Sequence, residues 1–252
     1  MPDKIERNLR LEIEYDGTNY CGWQTQKNLR HRKTIQDAIE KTLRKIIQEE
    51  IHLIVSGRTD AGVHARAQVV NFKTSRAISA KKLQIALNGL LPDDIAVRKI
   101  SEAPLDFHSR FDAKSKLYRY VILNRPYSAP LLRKEVYFYP HPLNISLMRR
   151  EAKALLGRHN FRSFQATEKK EKNPFKSIKK IGITRKGPFL RIDIEADGFL
   201  YNMMRNIVGT LISVGRGRLP KGSLKRILMA KDRRAAGQTA PARGLSLIKV
   251  RY

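Results

Sequence analysis

The sequence predicts a mixed α+β fold made of two βαββαβ-like halves with antiparallel sheets. Three observations carry that prediction. Short runs alternate apolar and polar residues, longer runs repeat apolar residues at helical spacing, and the same order of runs occurs twice.

In the first half, Leu9, Leu11, Ile13 and Tyr15 alternate with Arg10, Glu12 and Glu14, which is the period of a half-buried strand. Asp16-Gly17 reads as a turn. Thr34, with Asp37 three residues on, signals a helix start, and Ile35, Ala38, Ile39, Leu43, Ile46 and Ile47 form one stripe. Ile51 to Ser56 and Ala67 to Lys73 read as strands. Ser79 can cap a helix whose stripe is Leu83, Ala86, Leu87 and Leu90, stopped by Pro92; Ile95 to Ile100 closes the half.

The second half repeats the order with additions. Leu117 to Leu123 is a strand with Tyr118, Tyr120 and Ile122 on one face, and Ile145 to Leu156 is a helix with Gly157 at its C-cap. Ile178 to Arg185 and Phe189 to Ala196 pair through Lys186-Gly187-Pro188. Leu200, Met203, Met204, Ile207, Val208, Leu211 and Ile212 give the clearest helical stripe. Leu224 to Met229 is a shorter helix and Leu245 to Val250 a last strand. The charged run 168–173 reads as a loop. The predicted division is an extension at 1–8, a first domain at 9–110 and a second at 111–252.

The 252 residues carry 51 Lys plus Arg against 23 Asp plus Glu, a formal charge of +28. The 41% hydrophobic content argues for a folded chain rather than a disordered tail. No run approaches the roughly 18 apolar residues of a membrane span, and Met1 to Leu11 lacks the apolar core of a secretory signal. One cysteine, Cys21, excludes an internal disulfide framework. The expected location is the cytoplasm. Such an excess of positive charge on a folded chain points to a nucleic-acid partner. A solubility surface would need only about 2–8 net charges. The histidines and the cysteine show no paired spacing of a zinc site, so no metal is expected.

The densest cluster of unusual residues is Ser56-Gly57-Arg58-Thr59-Asp60-Ala61-Gly62-Val63-His64-Ala65. Its glycines and small residues let the backbone turn and approach a ligand. An Asp between Arg and His can be kept ionised and used as nucleophile or general base. Asp before Ala-Gly also serves simply to form a turn, and the residues alone leave both readings open.

The segment Gly57 to Ala65 closely resembles the signature of the tRNA pseudouridine synthase A family. Further blocks resemble it in order: Tyr15-Asp16-Gly17, Gly22-Trp23-Gln24, Thr34-Ile35-Gln36, Asn88 with Leu91-Pro92, and Phe111 to Tyr120. Gly198-Phe199-Leu200-Tyr201-Asn202-Met203-Met204-Arg205-Asn206-Ile207-Val208-Gly209 and Thr239 to Leu245 complete the series. The resemblance implies the pseudouridine synthase fold and an enzyme that isomerises uridine to pseudouridine at positions 38, 39 and 40 of the tRNA anticodon stem-loop. It implies no cofactor, no metal, a tRNA partner and a homodimer in which one protomer holds the tRNA that the other modifies. Asp60 falls on the catalytic aspartate, Tyr118 on the active-site tyrosine, whose ring can stack on an extruded uracil, and Arg205 on the family arginine, which can pair with Asp60 and keep it ionised. Arg58, His64 and Lys116 are expected to contact RNA, with Arg58 aiding extrusion of the base. Tyr201, Arg205 and Gly209 fall on one i, i+4, i+8 row. On this reading the two sheets meet around a central cleft.

The chain departs from the family at Phe164-Gln165-Ala166, at the charged run 168–173 and at Met204, none of which touches the three catalytic positions. Two other readings are a pseudouridine synthase for a different RNA uridine and a non-catalytic RRM-like RNA-binding protein. Against the latter, no strand carries the glycine and three aromatics of an RNA-binding run.

Overall fold

Strand β1 (Arg7–Tyr15) organises the first half of the molecule. The computed structural model describes residues 6–25, 33–166 and 173–252. Most of the predicted charged run 168–173 and the start of the expected N-terminal extension lie outside the described residues. By packing, the chain divides into one unit of residues 1–114 with 247–252 and another of 115–246.

In the first unit the order is β1, α1 (Ile35–Ile47), β2 (Ile54–Val55), β3 (His64–Thr74), α2 (Ala80–Leu90) and β4 (Ile95–Ala103), the βαββαβ order read from sequence. β1 pairs antiparallel with β3 and with β4, setting Leu11 opposite Val70 and Ile100. The last strand, β10 (Leu245–Arg251), follows β3 in the order β4-β1-β3-β10. Period-2 alternation buries Leu9, Leu11 and Ile13 completely, together with Ile39 and Leu43 of α1 and Leu83 and Leu87 of α2. Each such side chain contributes roughly 1.5–3 kcal/mol by leaving water. Thr34 and Ser79 cap their helices as expected, accepting from the Asp37 and Lys82 amides at 3.3 Å.

Two predictions in this unit are corrected. The strand expected over Ile51–Ser56 shrinks to Ile54–Val55, because the Leu53 amide donates to the Glu40 carboxylate of α1 at 2.9 Å. Leu90 ends α2 and is 59% exposed; the capping residue Leu91 takes the buried place.

The second unit comprises β5 (Ser115–Leu123), β6 (Tyr137–Phe138), α3 (Ile145–Ala152), β7 (Gly157–Asn160), β8 (Phe175–Lys186), β9 (Phe189–Ala196), α4 (Met203–Gly215) and α5 (Ser223–Ala230). Its strands run β5-β9-β8-β7, antiparallel throughout, while β6 adds to β5 in parallel. β8 and β9 close a two-residue hairpin in which Gly187 has φ +56°, as the Gly-Pro pair predicted. Behind the strands, α3 packs on β8, α4 and α5.

Here three predictions change. The helix expected over Ile145–Leu156 is α-helical only to Ala152 and tightens to a 3₁₀ turn at Lys153–Leu155, which buries Leu155. Gly157, at φ +92°, opens β7 rather than capping the α-helix. α4 begins at Met203, after Asn202 in the left-handed region at φ 59°, so Leu200 and Tyr201 lie before the helix. Residues 247–252 pack with the first unit. Among the described residues no helix is long and apolar enough to cross a membrane.

Candidate active site

The loop from Ser56 to Val63 joins β2 to β3 and is fixed from several sides. Its tip is a turn closed by the Val63 amide on the Asp60 carbonyl at 3.1 Å, with Gly62 supplying φ +74°. The turn is closed by backbone. Asp60 is half-buried and Arg58 exposed.

Two glycines of the β1–α1 connection let the chain press against this loop. A Cβ on Gly17 would stand 2.0 Å from the Val63 carbonyl oxygen, and one on Gly22 2.7 Å from that of Thr59. Gly22 also holds φ +93°, a region side chains rarely adopt. The following residue donates its amide: Trp23 N–H reaches the Thr59 carbonyl at 3.0 Å. Trp23 itself is buried against Tyr15.

Below the loop lies a buried polar group. The Tyr15 hydroxyl is 2.7 Å from the Thr59 hydroxyl, and Gln68 binds the Ser56 hydroxyl at 2.7 Å and the Gly57 carbonyl at 2.9 Å. Burial pushes the Tyr15 phenol up to about 12, with the hydrogen bonds from Thr59 and Gln68 acting in the opposite sense, so it keeps its proton at neutral pH. His64, also buried, closes the loop's far end. Its Nδ1 lies 3.1 Å from the Gly17 amide and 3.0 Å from Asp16 Oδ1.

In the second unit, Tyr118 sits on β5 opposite Ile194, 7% exposed, with the Phe199 ring edge-on at 4.9 Å. Lys116 is two residues earlier on the same strand and is buried, not spread over the surface. Arg205 is on the second residue pair of α4, half-buried. Its Nε donates to the Ala240 carbonyl and one Nη to the Asn202 side chain, each at 2.8 Å. Asn202 thus spends its side chain on Arg205 instead of capping the helix.

The segment Gly237–Pro241 is locked to α4. A Cβ on Gly209 would fall 1.7 Å from the Gln238 carbonyl oxygen, the Gly237 amide donates to Thr210 Oγ1 at 2.9 Å, and Thr239 donates to Asn206 at 2.6 Å. That lock places the Ala240 carbonyl on Arg205. The predicted row of Tyr201, Arg205 and Gly209 is corrected in part: Tyr201 precedes the helix, and Gly209 is a close-packing residue. Among the described residues no group of three or more His, Cys, Asp or Glu could hold a metal ion.

The family model described as tRNA pseudouridine synthase matches residues 12–112 and 152–252. The chain is 46% identical to tRNA pseudouridine synthase A of Thermoanaerobacter sp., across 98% of this chain and 100% of that one. It is 47% identical to tRNA pseudouridine synthase A of Clostridium acetobutylicum with the same coverage. The namesake from Shigella boydii serotype 4 is 41% identical over 97% of this chain and 89% of its own. The chain belongs to the tRNA pseudouridine synthase A family.

Membership in the tRNA pseudouridine synthase A family makes the mixed α+β architecture a pseudouridine synthase fold. The blocks that resembled the family in sequence now have physical reasons. Gly17 and Gly22 give the Asp60 loop room, Asn202 and Ala240 hold Arg205, and Gly244 leaves space for the Tyr120 ring, which a Cβ would approach to 2.7 Å. Three of the departures fall among the described residues in packed positions. Phe164 and Gln165 are buried, and Met204 is 4% exposed in α4.

Proposed function

We infer that this chain performs the reaction for which its family is named, isomerising uridine to pseudouridine in the anticodon stem-loop of tRNA. The fine assignment is to positions 38, 39 and 40. The reaction breaks the ribose–uracil C–N bond, turns the base and joins its C5 to the same ribose carbon, with the C5 proton lost and N1 gaining one. Nothing is oxidised or reduced.

The observation that carries the reading is the immobilised loop that presents Asp60. A carboxylate there can attack the ribose carbon or remove a ribose proton. The target base has to leave the stack to meet it. Tyr118 offers a ring for the extruded uracil, and the role proposed for Arg205 is to supply positive charge to the reacting carboxylate. Arg58, exposed on the same loop, contacts RNA. His64 and Lys116, both buried, contribute to RNA binding through the loop and strand they occupy. The +28 charge supports a polyanionic substrate. A homodimer and a cytoplasmic location complete the proposal.

The test is an in vitro assay with prefolded, unmodified tRNA transcript and pure protein in excess chelator. Pseudouridine should form in the anticodon stem-loop with no added metal or nucleotide. Strict dependence on added zinc would contradict the reading.

A further inference from the structure

Gln68 is fully buried in β3, where an apolar side chain would satisfy packing alone. Its partners fix which way the amide faces. Oε1 accepts from the Ser56 hydroxyl at 2.7 Å and the Val69 amide at 3.2 Å, while Nε2 donates to the Gly57 carbonyl at 2.9 Å. Reversing the amide would set donor against donor at Val69 and acceptor against acceptor at Gly57. The same Nε2 approaches the Tyr15 oxygen at 3.5 Å, which directs the phenol proton to Thr59 Oγ1, 2.7 Å away.

Three of the five residues from Ser56 to Asp60 are therefore gripped from beneath, and Thr59 twice. Its carbonyl takes the Trp23 amide and its side chain takes Tyr15. Thr59 immediately precedes Asp60, so its position sets where the carboxylate leaves the backbone. Packing restrains distance, but a hydrogen bond also restrains direction, and a buried pair does so without competition from water.

We propose that Tyr15, its phenol oriented by Gln68, is a positioning residue of the isomerisation, holding the Asp60 loop in its reactive place through the Tyr15–Thr59 hydrogen bond. The proposal rests on Asp60 being the catalytic carboxylate. Small misplacement of a reacting group costs up to about 100-fold in rate.

The experiment compares Tyr15→Phe, Thr59→Val, the double variant and Asp60→Asn. For each, the single-turnover rate at saturating tRNA, the tRNA dissociation constant and the melting temperature are measured. Tyr15→Phe and Thr59→Val should each lose about 10- to 100-fold in rate, with affinity within about threefold. Tyr15→Phe strands the Thr59 hydroxyl and Thr59→Val leaves the Tyr15 hydroxyl only its 3.5 Å contact with Gln68, whereas the double strands neither, so the double should melt above at least one of the singles. Its rate should nevertheless stay as low as theirs. A rate that recovers with melting temperature in the double variant would make the pair merely structural and overturn the proposal. So would wild-type rates in either single variant beside an inactive Asp60→Asn. Should one single variant fail to fold, the other carries the comparison. Substantial turnover by Asp60→Asn would instead overturn the catalytic reading underneath.

Discussion

Asp60→Asn is expected to abolish pseudouridine formation while leaving tRNA affinity within a few-fold of wild type. The substitution is nearly isosteric, so the turn closed by the Asp60 carbonyl and Gly62 persists. It takes away the carboxylate proposed to attack the ribose or accept its proton, a loss on the order of 10⁴-fold or more when a nucleophile is removed. Binding hardly registers the change, because one charge is a small part of a chain at +28. Rates of purified variant and wild type on the same transcript, beside an equilibrium binding measurement, decide it. Turnover within tenfold of wild type would remove Asp60 from the catalytic role.

Arg205 gives the second large effect. Two of its three nitrogens are already committed to Ala240 and Asn202, so the guanidinium is held in a set orientation. Arg205→Lys keeps the charge but has a single nitrogen and cannot reproduce that fork. Turnover should fall on the order of 10²-fold for Lys and further for Ala, with melting temperatures reported for both. The salt dependence of tRNA binding should not change. Were Arg205 a phosphate contact instead, its removal would flatten the slope of log affinity against log salt by about 0.7–0.9. That flattening, with near-normal turnover at saturating tRNA, would move Arg205 to the binding surface.

What the sequence made legible follows from local physics. Alternation in Leu9–Tyr15 and the 3.6 period in Ile35–Ile47 depend on neighbours a few residues away, so both elements are where they were expected. The caps at Thr34 and Ser79 are equally local. The Asp60 loop stood out by residue type, since Gly, Arg, Asp and His crowd into ten positions.

What stayed hidden depends on contacts distant in sequence. Nothing near Ile51 shows that Glu40 will claim the Leu53 amide and shorten a strand. Gln68 sits in a run that reads as plain strand, and only its partners at Ser56 and Gly57 show what it does. Gly17 reads as a turn glycine, yet the tightest requirement on it and on Gly22 is the loop some 40 residues on. Tyr201 fits a helical row by spacing alone. It falls outside α4 because Asn202 takes a left-handed conformation and gives its side chain to Arg205. The Ala240 carbonyl carries no side-chain signal at all.

The most direct measurement is nucleotide-resolved mapping of pseudouridine in a pool of unmodified tRNAs after incubation with the wild-type protein, with Asp60→Asn as the blank. New pseudouridine is expected at positions 38, 39 and 40 of the anticodon stem-loop and none elsewhere, all of it absent from the blank. Modification confined to other uridines would contradict the assigned substrate site, and an unmodified pool would contradict the activity itself.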